Sequence, residues 1–342
     1  MKTTIFNAQA AKLVGVAALA FSTLFALSAC GGGDRDPTSS AATSTGTSGG
    51  GSTSGGGSTS GGGSSSSSNF GVVYETAVNP STRADTLTQL NSEGARGFAY
   101  INPIAFTGDN GTVYALYAKS TGTGATYTYE ILDAPTTAAG VLAQANAEGA
   151  RGFRRGAELV VGTVFVHVVG STATFSYESL PTATTSSTFL SQANAEGARG
   201  FLYAMDDGAG GALSSLYVKN SASTATYTFA TQPVASTADA IVTQANGQGA
   251  QGYRFKTSYV FSDGTVDIYM KDMTASSTFS YLTQPSVNQA AAYVSQANAE
   301  GAAGTVLFGE FTGGATPNPF VLYFTPQSCT GALCGPVGPL DS

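Results

Sequence analysis

Few side chains in this chain of 342 residues could carry nucleophilic or acid–base chemistry, since it has three Cys, one His and no Trp. A cysteine nucleophile needs a base that generates its thiolate, and His167 is the one imidazole in the sequence. Cys30 follows an N-terminal apolar run, whereas Cys329 and Cys334 lie together near the C-terminus. The composition therefore favours a protein that is not an enzyme and that carries no metal or other cofactor.

The N-terminal cysteine ends a segment with the features of an export signal. Residues 1–29 contain Lys2 and Lys12 and an apolar run over 13–27 that is too short to cross a membrane comfortably. The run ends in Leu27-Ser28-Ala29-Cys30, which resembles the lipobox of bacterial lipoproteins. In that family the Cys is diacylated, the signal is cleaved before it, and the new N-terminus is acylated. The resemblance implies an exported envelope protein that is anchored by fatty acids such as palmitate at Cys30.

The residues after the cysteine bear on where the folded part is held. Gly31 follows Cys30, and by resemblance to lipoprotein sorting signals the lack of Asp there favours the outer membrane. The periplasmic and surface faces stay open, and an ordinary signal peptide with an incidental Cys is the alternative. Residues 30–69 are mostly Gly, Ser and Thr and are predicted to be a disordered tether. A flexible coil of this length spans roughly 35 Å.

A ten-residue motif, Gln144-Ala-Asn-Ala-Glu-Gly-Ala-Arg-Gly-Phe153, recurs along the rest of the chain. Its copies begin at Gln89, Gln144, Gln192, Gln244 and Gln296, which gives a period of about fifty residues. Such a period predicts repeated units that cannot bury a core alone and must pack on one another. The region 70–325 divides into five units, at about 70–120, 125–170, 173–220, 225–272 and 277–325, and a tail over 326–342 follows.

Each unit is predicted to run strand, helix, strand, strand. In the second unit, 125–132 alternates Thr with aromatic residues, which is typical of a strand, and 164–169 is a further apolar strand. Between them a helix is predicted over 137–148, with Thr136 or Thr137 as its N-cap. Gly149 is predicted to end this helix in a left-handed conformation.

The helix is predicted to bury one apolar stripe. In the second unit we assign that stripe to Val141, Leu142 and Ala145. The residues equivalent to Leu142 are Leu87, Leu190, Val242 and Val294. Three residues later come Leu90, Ala145, Ala193, Ala245 and Ala297. The small alanine side chain predicts close approach by a neighbouring element.

The polar residues of the motif are assigned structural roles. Asn146 and its counterparts are interpreted as capping or turn-bridging amides, with contact to a ligand as the alternative. Glu148 precedes Arg151 by three residues, and the fourth unit replaces both, with Gln248 and Gln251. This joint replacement indicates that the two side chains meet.

The units are expected to assemble through shared faces. The helix crossover should be right-handed and leave the first and second strands parallel, while the second and third form a hairpin. The motif step Asn-x-[Glu/Gln]-Gly-Ala-x-Gly-[Phe/Tyr] resembles the Leu-Asn-x-x-Gly-x-x-Gly-Trp signature of small bacterial domains of unknown function. Unit count and size resemble the pentein, or five-bladed α/β propeller, architecture. We therefore predict an α/β repeat protein closed as a five-bladed propeller, with an open stacked array as the alternative.

His167 is predicted to pack rather than to catalyse. We align it with residues that are tyrosine in the other four units, namely Tyr117, Tyr217, Tyr269 and Tyr323. Catalytic penteins rely on a Cys nucleophile with His and acidic partners. Here Cys30 is assigned to lipid, and Cys329 and Cys334 follow the last strand. The resemblance therefore brings no enzymatic activity with it.

The remaining cysteines are predicted to form a disulfide. Cys329 and Cys334 enclose a short loop in an exported chain, and two Cys without a nearby His do not make a zinc site. The bond would pin the C-terminal tail.

Acidic residues near the hairpin turns suggest one surface for binding. In a ring, all hairpins would emerge on one rim. That rim would carry Asp109, Asp206, Asp207 and Asp263, with Glu310 nearby. An acidic rim could bind a cation or a basic partner, whereas solvated turn residues are the plainer interpretation.

The sequence leaves three functions to compare. A net charge of −7 argues against nucleic-acid binding. The preferred function is a membrane-anchored envelope lipoprotein whose repeat scaffold serves binding or structure, with an envelope protein or a glycan as its partner. A hydrolase with an unrecognised site and a glycan-binding adhesin are the alternatives. The adhesin requires exposed aromatic residues, whereas the strand pattern predicts that Tyr127, Tyr129, Phe175 and Tyr177 are buried.

Overall fold

The computed structural model describes residues 71–211, 213–311 and 319–335. These residues form five three-stranded antiparallel sheets, each with one helix, in the predicted order of strand, helix, strand, strand. The chain is therefore an α/β repeat protein. The predicted signal segment, Cys30 and the Gly/Ser/Thr tether lie outside the described residues.

The elements follow the five units in register. The first strands are β1 (Val72–Val78), β4 (Tyr127–Leu132), β7 (Phe175–Pro181), β10 (Tyr227–Pro233) and β13 (Phe279–Pro285). The helices are α1 (Arg83–Ala95), α2 (Ala138–Ala150), α3 (Ser186–Ala198), α4 (Ala238–Gly249) and α5 (Ala290–Ala302). The second strands are β2 (Ala99–Ala105), β5 (Arg154–Leu159), β8 (Leu202–Asp207), β11 (Arg254–Phe261) and β14 (Val306–Phe311). The third strands are β3 (Val113–Ser120), β6 (Gly162–Val168), β9 (Ser214–Asn220), β12 (Gly264–Asp272) and β15 (Phe320–Pro326).

The third strand is the centre of every sheet. It pairs antiparallel with both the first and the second strand, so in the first unit Ala118 faces Tyr74 on one side and Ala99 on the other. The first and second strands are thus parallel, as predicted, but separated by the third. Every second strand also contains a bulge, where the register skips at least one residue.

Threonine caps begin four of the five helices. Thr82, Thr137, Thr185 and Thr237 each accept a hydrogen bond from the backbone N–H three residues on, at 3.1 to 3.2 Å. The prediction that Thr137 caps the second helix is confirmed. Because these bonds satisfy a backbone donor that the helix itself leaves open, they fix where each helix starts.

The buried stripe of the helix agrees with the predicted one only in part. The buried positions are Thr86, Val141, Phe189, Ile241 and Tyr293, of which Val141 was predicted, whereas Leu142 and its counterparts in the other units are only half-buried. Residues four apart lie along one side of a helix, so the stripe continues through the alanines and reaches the first glycine of the motif. The predicted close approach at Ala145 is confirmed, because its side chain is completely buried.

The two glycines of the motif have different roles from those predicted. The second helix continues through Gly149 to Ala150, so Gly149 does not end it. A Cβ at Gly149 would lie closer than 3.0 Å to the carbonyl oxygen of Phe175, in the next unit. Gly152 is the left-handed residue, with φ of +86°. The first glycine therefore permits close packing and the second permits the turn into the strand.

Neighbouring units share their buried apolar clusters. Each helix packs on its own sheet and on the first strand of the following unit, and α5 packs on β1 in the same way. The largest apolar cluster includes Val72 from the first unit, Phe201 from the third, Phe229 from the fourth and Phe324 from the fifth. A single unit would expose much of this surface, which explains why the units occur together.

Candidate functional site

The asparagine of the motif joins one unit to the next. Asn146 accepts a hydrogen bond from the backbone N–H of Tyr177 at 2.8 Å and donates to its carbonyl oxygen at 3.1 Å. Asn298 binds Tyr74 in the same two ways, at 2.6 and 3.0 Å. These amides bridge to the first strand of another unit rather than across a local turn, and they occupy the edge of that strand.

Tyrosine hydroxyls make a second hydrogen-bonded contact between units, and we call each such contact a joint. The hydroxyl of Tyr177 accepts a hydrogen bond at 2.7 Å from the backbone N–H of Arg155, beside the bulge of the preceding unit. Tyr74 does the same for Leu307 at 2.8 Å. The fourth unit has Phe229 at this position and therefore lacks the hydroxyl.

The predicted contact between Glu148 and Arg151 is confirmed, and a second carboxylate belongs to it. Arg151 binds Glu148 and also Glu130 of the first strand, with its two nitrogens 2.6 and 2.8 Å from the Glu130 oxygens. The arginine is about half exposed, so solvent screens the cluster and it contributes little to stability. The Asn, Glu and Arg side chains of the motif thus have contacts within and between units.

Two of the five residues of the predicted acidic rim cap helices of other units. The Asp109 carboxylate accepts a hydrogen bond from the backbone N–H of Ala290 at 2.7 Å. Asp263 accepts bonds from the backbone and the hydroxyl of Ser186, which hold its pKa below the usual range. A carboxylate at a helix N-terminus is stabilised by the exposed N–H groups and the helix dipole.

The other three rim residues bind side chains of the protein. Asp206 and Asp207 lie within β8 and not in the predicted turn. The hydroxyls of Tyr203, Ser215 and Tyr259 donate to Asp206, and Ser286 donates to Glu310. Asp207 is buried, and its partner is a buried arginine. The five carboxylates are therefore dispersed among separate hydrogen-bond networks.

The alignment that placed His167 with tyrosines is wrong. Strand pairing puts Phe165 at the tyrosine position, because Phe165 faces Glu130 as Tyr117 faces Glu75. His167 instead takes the position of Lys119, Lys219, Lys271 and Thr325. Its Nδ1 lies 2.9 Å from the carbonyl oxygen of Gly152, and its ring packs on Phe153. These contacts are those of a packing residue.

The described part of the chain contains a cavity large enough for a small ligand. It has a volume of about 330 Å³ and lies between the sheets of the first three units, with Lys256 of the fourth unit in its wall. Ligand sites typically have volumes of about 300–1,000 Å³, so this cavity is at the small end. Its aromatic lining consists of Tyr100, Tyr127, Tyr129, Tyr177 and Tyr203.

The bulges of the second strands supply part of the cavity wall. The residues skipped in the register include Ile101, Gly156, Ala204, Lys256 and Phe308, and the first four line the cavity. Lys256 is the one charged side chain among them. Burial, together with Arg254 and Arg154, lowers the pKa of Lys256 to about 8. Sequence analysis missed this lysine, because a bulge is not visible in the alternation of a short strand.

A second cation of the cavity is neutralised within the protein. Arg155 lies 2.9 Å from an Asp207 oxygen and 3.3 Å from a Glu158 oxygen. Both Arg155 and Asp207 have side chains that are only 3% exposed. Because both charges are withdrawn from water, removing either side chain would leave the other as an unneutralised buried charge.

The C-terminal part of the described chain packs close to these cations. Cys329 and Cys334 form a disulfide, which is compatible with the predicted pairing. Leu333 within this loop is 1% exposed. The buried guanidinium of Arg254 donates to the Leu333 carbonyl at 2.8 Å and to the Gly335 carbonyl at 3.4 Å. The loop is therefore fixed to the fourth unit.

The predicted burial of the strand aromatics is confirmed, because Tyr127, Tyr129, Phe175 and Tyr177 are all less than 10% exposed. Across the described residues, no group of three or more His, Cys, Asp and Glu side chains could hold a metal ion. None of the helices in 71–211, 213–311 and 319–335 has the length and apolar character needed to cross a bilayer.

No protein-family model matches the chain, and neither a curated protein nor a solved structure does. The site is therefore interpreted from its own geometry.

Proposed function

We propose that this protein is a lipid-anchored lipoprotein of the cell envelope whose five units close into a ring and bind a small ligand in the cavity. The observation that carries the binding function is the cavity itself, with tyrosine rings and a lysine ammonium in its wall. Lys256 is partly buried, and a lysine that is withdrawn from water is usually paired or functional. The lipid anchor rests on the Leu27-Ser28-Ala29-Cys30 sequence.

Closure of the ring is supported by the contacts between the last and the first unit. Asn298 of α5 binds Tyr74 of β1 as Asn146 binds Tyr177. The Tyr74 hydroxyl also accepts the Leu307 N–H, the same joint that Tyr177 makes. A five-bladed propeller, in which every unit has two neighbours, accounts for this equivalence. An open array would leave the fifth helix without a following strand.

Replacing Asn298 by Ala tests this closure. In a ring, Asn298→Ala leaves the N–H and C=O of Tyr74 without their partner, and we expect the free energy of unfolding to fall by about 1–3 kcal/mol. Asn146→Ala, at a joint between consecutive units, is the matched control and should cost a similar amount. Urea denaturation followed by circular dichroism measures both. A loss for Asn146→Ala alone would favour the open array.

The anchor is tested by labelling cells with a clickable palmitate. We expect label on the wild-type chain and none on Cys30→Ala, because the thiol is the proposed site of the acyl chains. Membrane fractionation then assigns the labelled protein to the outer or the inner membrane. Equal absence of label from both chains would mean that the protein is exported without this anchor. The binding cavity would be unaffected by that result.

A further inference from the structure

Lys256 is a cation without a counter-charge among the residues that the structure describes. The nearest contacts of its ammonium are the Ala204 carbonyl oxygen at 3.3 Å and the face of the Tyr203 ring at 5.9 Å. None of the ion pairs within the described chain includes this lysine. A carbonyl and an aromatic ring compensate an ammonium only in part.

The charged groups nearest to Lys256 make its position more unfavourable. Arg154 and Arg254 both act on it as like charges, and together with burial they lower its pKa to about 8. Arg155 also lines the cavity, but Asp207 and Glu158 neutralise it. Within a chain whose net charge is −7, the cavity wall thus contains one lysine, Lys256, that no described carboxylate neutralises. An anion in the cavity would relieve this repulsion.

We infer that the cavity binds a small organic anion, with its carboxylate against Lys256 and a planar or apolar body among the tyrosine rings. The inference rests on the proposed function, since it takes the cavity to be the ligand site and names the chemistry of the ligand. The volume of about 330 Å³ admits a small aromatic acid. The aliphatic wall, which includes Val164, Leu216 and Val218, suits an apolar body.

The carboxylate that binds Lys256 could come from either of two sources. One is a soluble molecule from outside the protein. The other is the chain itself, because residues 336–342, Pro-Val-Gly-Pro-Leu-Asp-Ser, follow Gly335, whose carbonyl binds Arg254. Asp341 is within roughly 20 Å of Gly335 along an extended chain. The experiment therefore includes a variant that ends at Gly335.

Calorimetric titration of the full chain with benzoate and with benzamide tests the inference. The two probes share size and shape, but only benzoate is charged. We expect benzoate to bind at least tenfold more tightly than benzamide. Lys256→Met should weaken benzoate binding at least tenfold and leave benzamide binding unchanged, whereas Lys256→Arg should retain the preference for benzoate. Thermal melting of each variant establishes that it is folded.

The matched control removes a lysine outside the cavity. Lys219 also lies over an aromatic ring, that of Phe201, and its ammonium donates to the Arg199 carbonyl at 2.8 Å. Lys219→Met is expected to leave benzoate affinity unchanged. A loss of the same size for both lysines would show that benzoate responds to net charge alone, which would overturn the inference.

The pH dependence gives an independent readout. Benzoate affinity should fall as the pH rises through about 8, because Lys256 loses its proton there. Burial raises the pKa of Tyr100 and Tyr203, so both tyrosines stay neutral over this range. In Lys256→Met the decrease near pH 8 should be absent. A wild-type affinity that does not change with pH contradicts the role of Lys256.

The variant that ends at Gly335 separates the two sources. If residues 336–342 occupy the cavity, their deletion should raise benzoate affinity at least tenfold. If the carboxylate belongs to a soluble molecule, the deletion should leave the affinity unchanged. Equal binding of benzamide and benzoate would overturn the anion site but keep the proposed binding cavity. Failure of both probes in both chains would overturn the inference and the proposed binding function together.

Discussion

Gly249→Ala is expected to lower the free energy of unfolding by about 2–4 kcal/mol. A Cβ at this position would lie closer than 3.0 Å to the carbonyl oxygen of Phe279, which belongs to the next unit. A backbone atom cannot move aside as the end of a flexible side chain can, so the helix and the strand would have to separate. Chemical denaturation followed by circular dichroism measures the loss.

The same helix provides the control, two residues earlier. Gly247 is exposed, and no described atom beyond its own stretch of helix lies within 4 Å of the place its Cβ would take. Since Ala is a better helix former than Gly, Gly247→Ala should stabilise the protein by about 0.5–1 kcal/mol. A loss of stability for Gly249→Ala together with a gain for Gly247→Ala would show that packing on Phe279, and not helix propensity, sets the effect at Gly249. A gain in stability for Gly249→Ala would mean that the helix is not held against Phe279.

Arg155→Met is expected to destabilise the protein by about 3–5 kcal/mol, because it leaves Asp207 buried without a counter-charge. The Asp207 side chain is 3% exposed, and its remaining hydrogen bond comes from the Ala209 N–H at 2.8 Å. Thermal and urea denaturation at neutral pH measure the effect. Adding Asp207→Asn should recover part of the loss, because the uncompensated charge is then removed.

An exposed arginine supplies the comparison for this buried pair. Arg151 pairs with two carboxylates, Glu130 and Glu148, yet half of its side chain faces solvent. Because water screens such a pair, Arg151→Met should destabilise the protein much less than Arg155→Met does. Equal losses at Arg151 and Arg155 would mean that burial does not set the energy of these pairs.

The number of units and the order of their elements could be predicted from the sequence because both follow from local patterns. The repeated motif sets the period, threonine before an Ala-rich segment marks the helix start, and alternating aromatics mark the first strand. The contact between Glu148 and Arg151 was predictable for the same reason, since the two residues lie three apart. Local spacing alone determines these features.

Joints between units could not be predicted, because they depend on which strand lies beside which helix. Asn146 could be recognised as structural, but its partner Tyr177 follows only from the packing of α2 on β7. The position of His167 could have been found by aligning Phe165-Val-His167 with Tyr117-Ala-Lys119. The cavity depends on bulges in strands from several units, so Lys256 gave no local signal.

The joints also have a consequence for the ancestry of the chain. Every unit carries both halves of a joint: a helix that offers Asn and Gly, and a first strand that offers its edge. Duplication of the gene segment that encodes one unit therefore copies both the helix and the strand edge that such a helix binds. The new unit can then pack on the units before and after it without further substitutions. Residues outside the joints, such as the one at each bulge, are then free to diverge between copies. Lys256 is an example of such divergence, in a chain whose assembly is inherited as a whole.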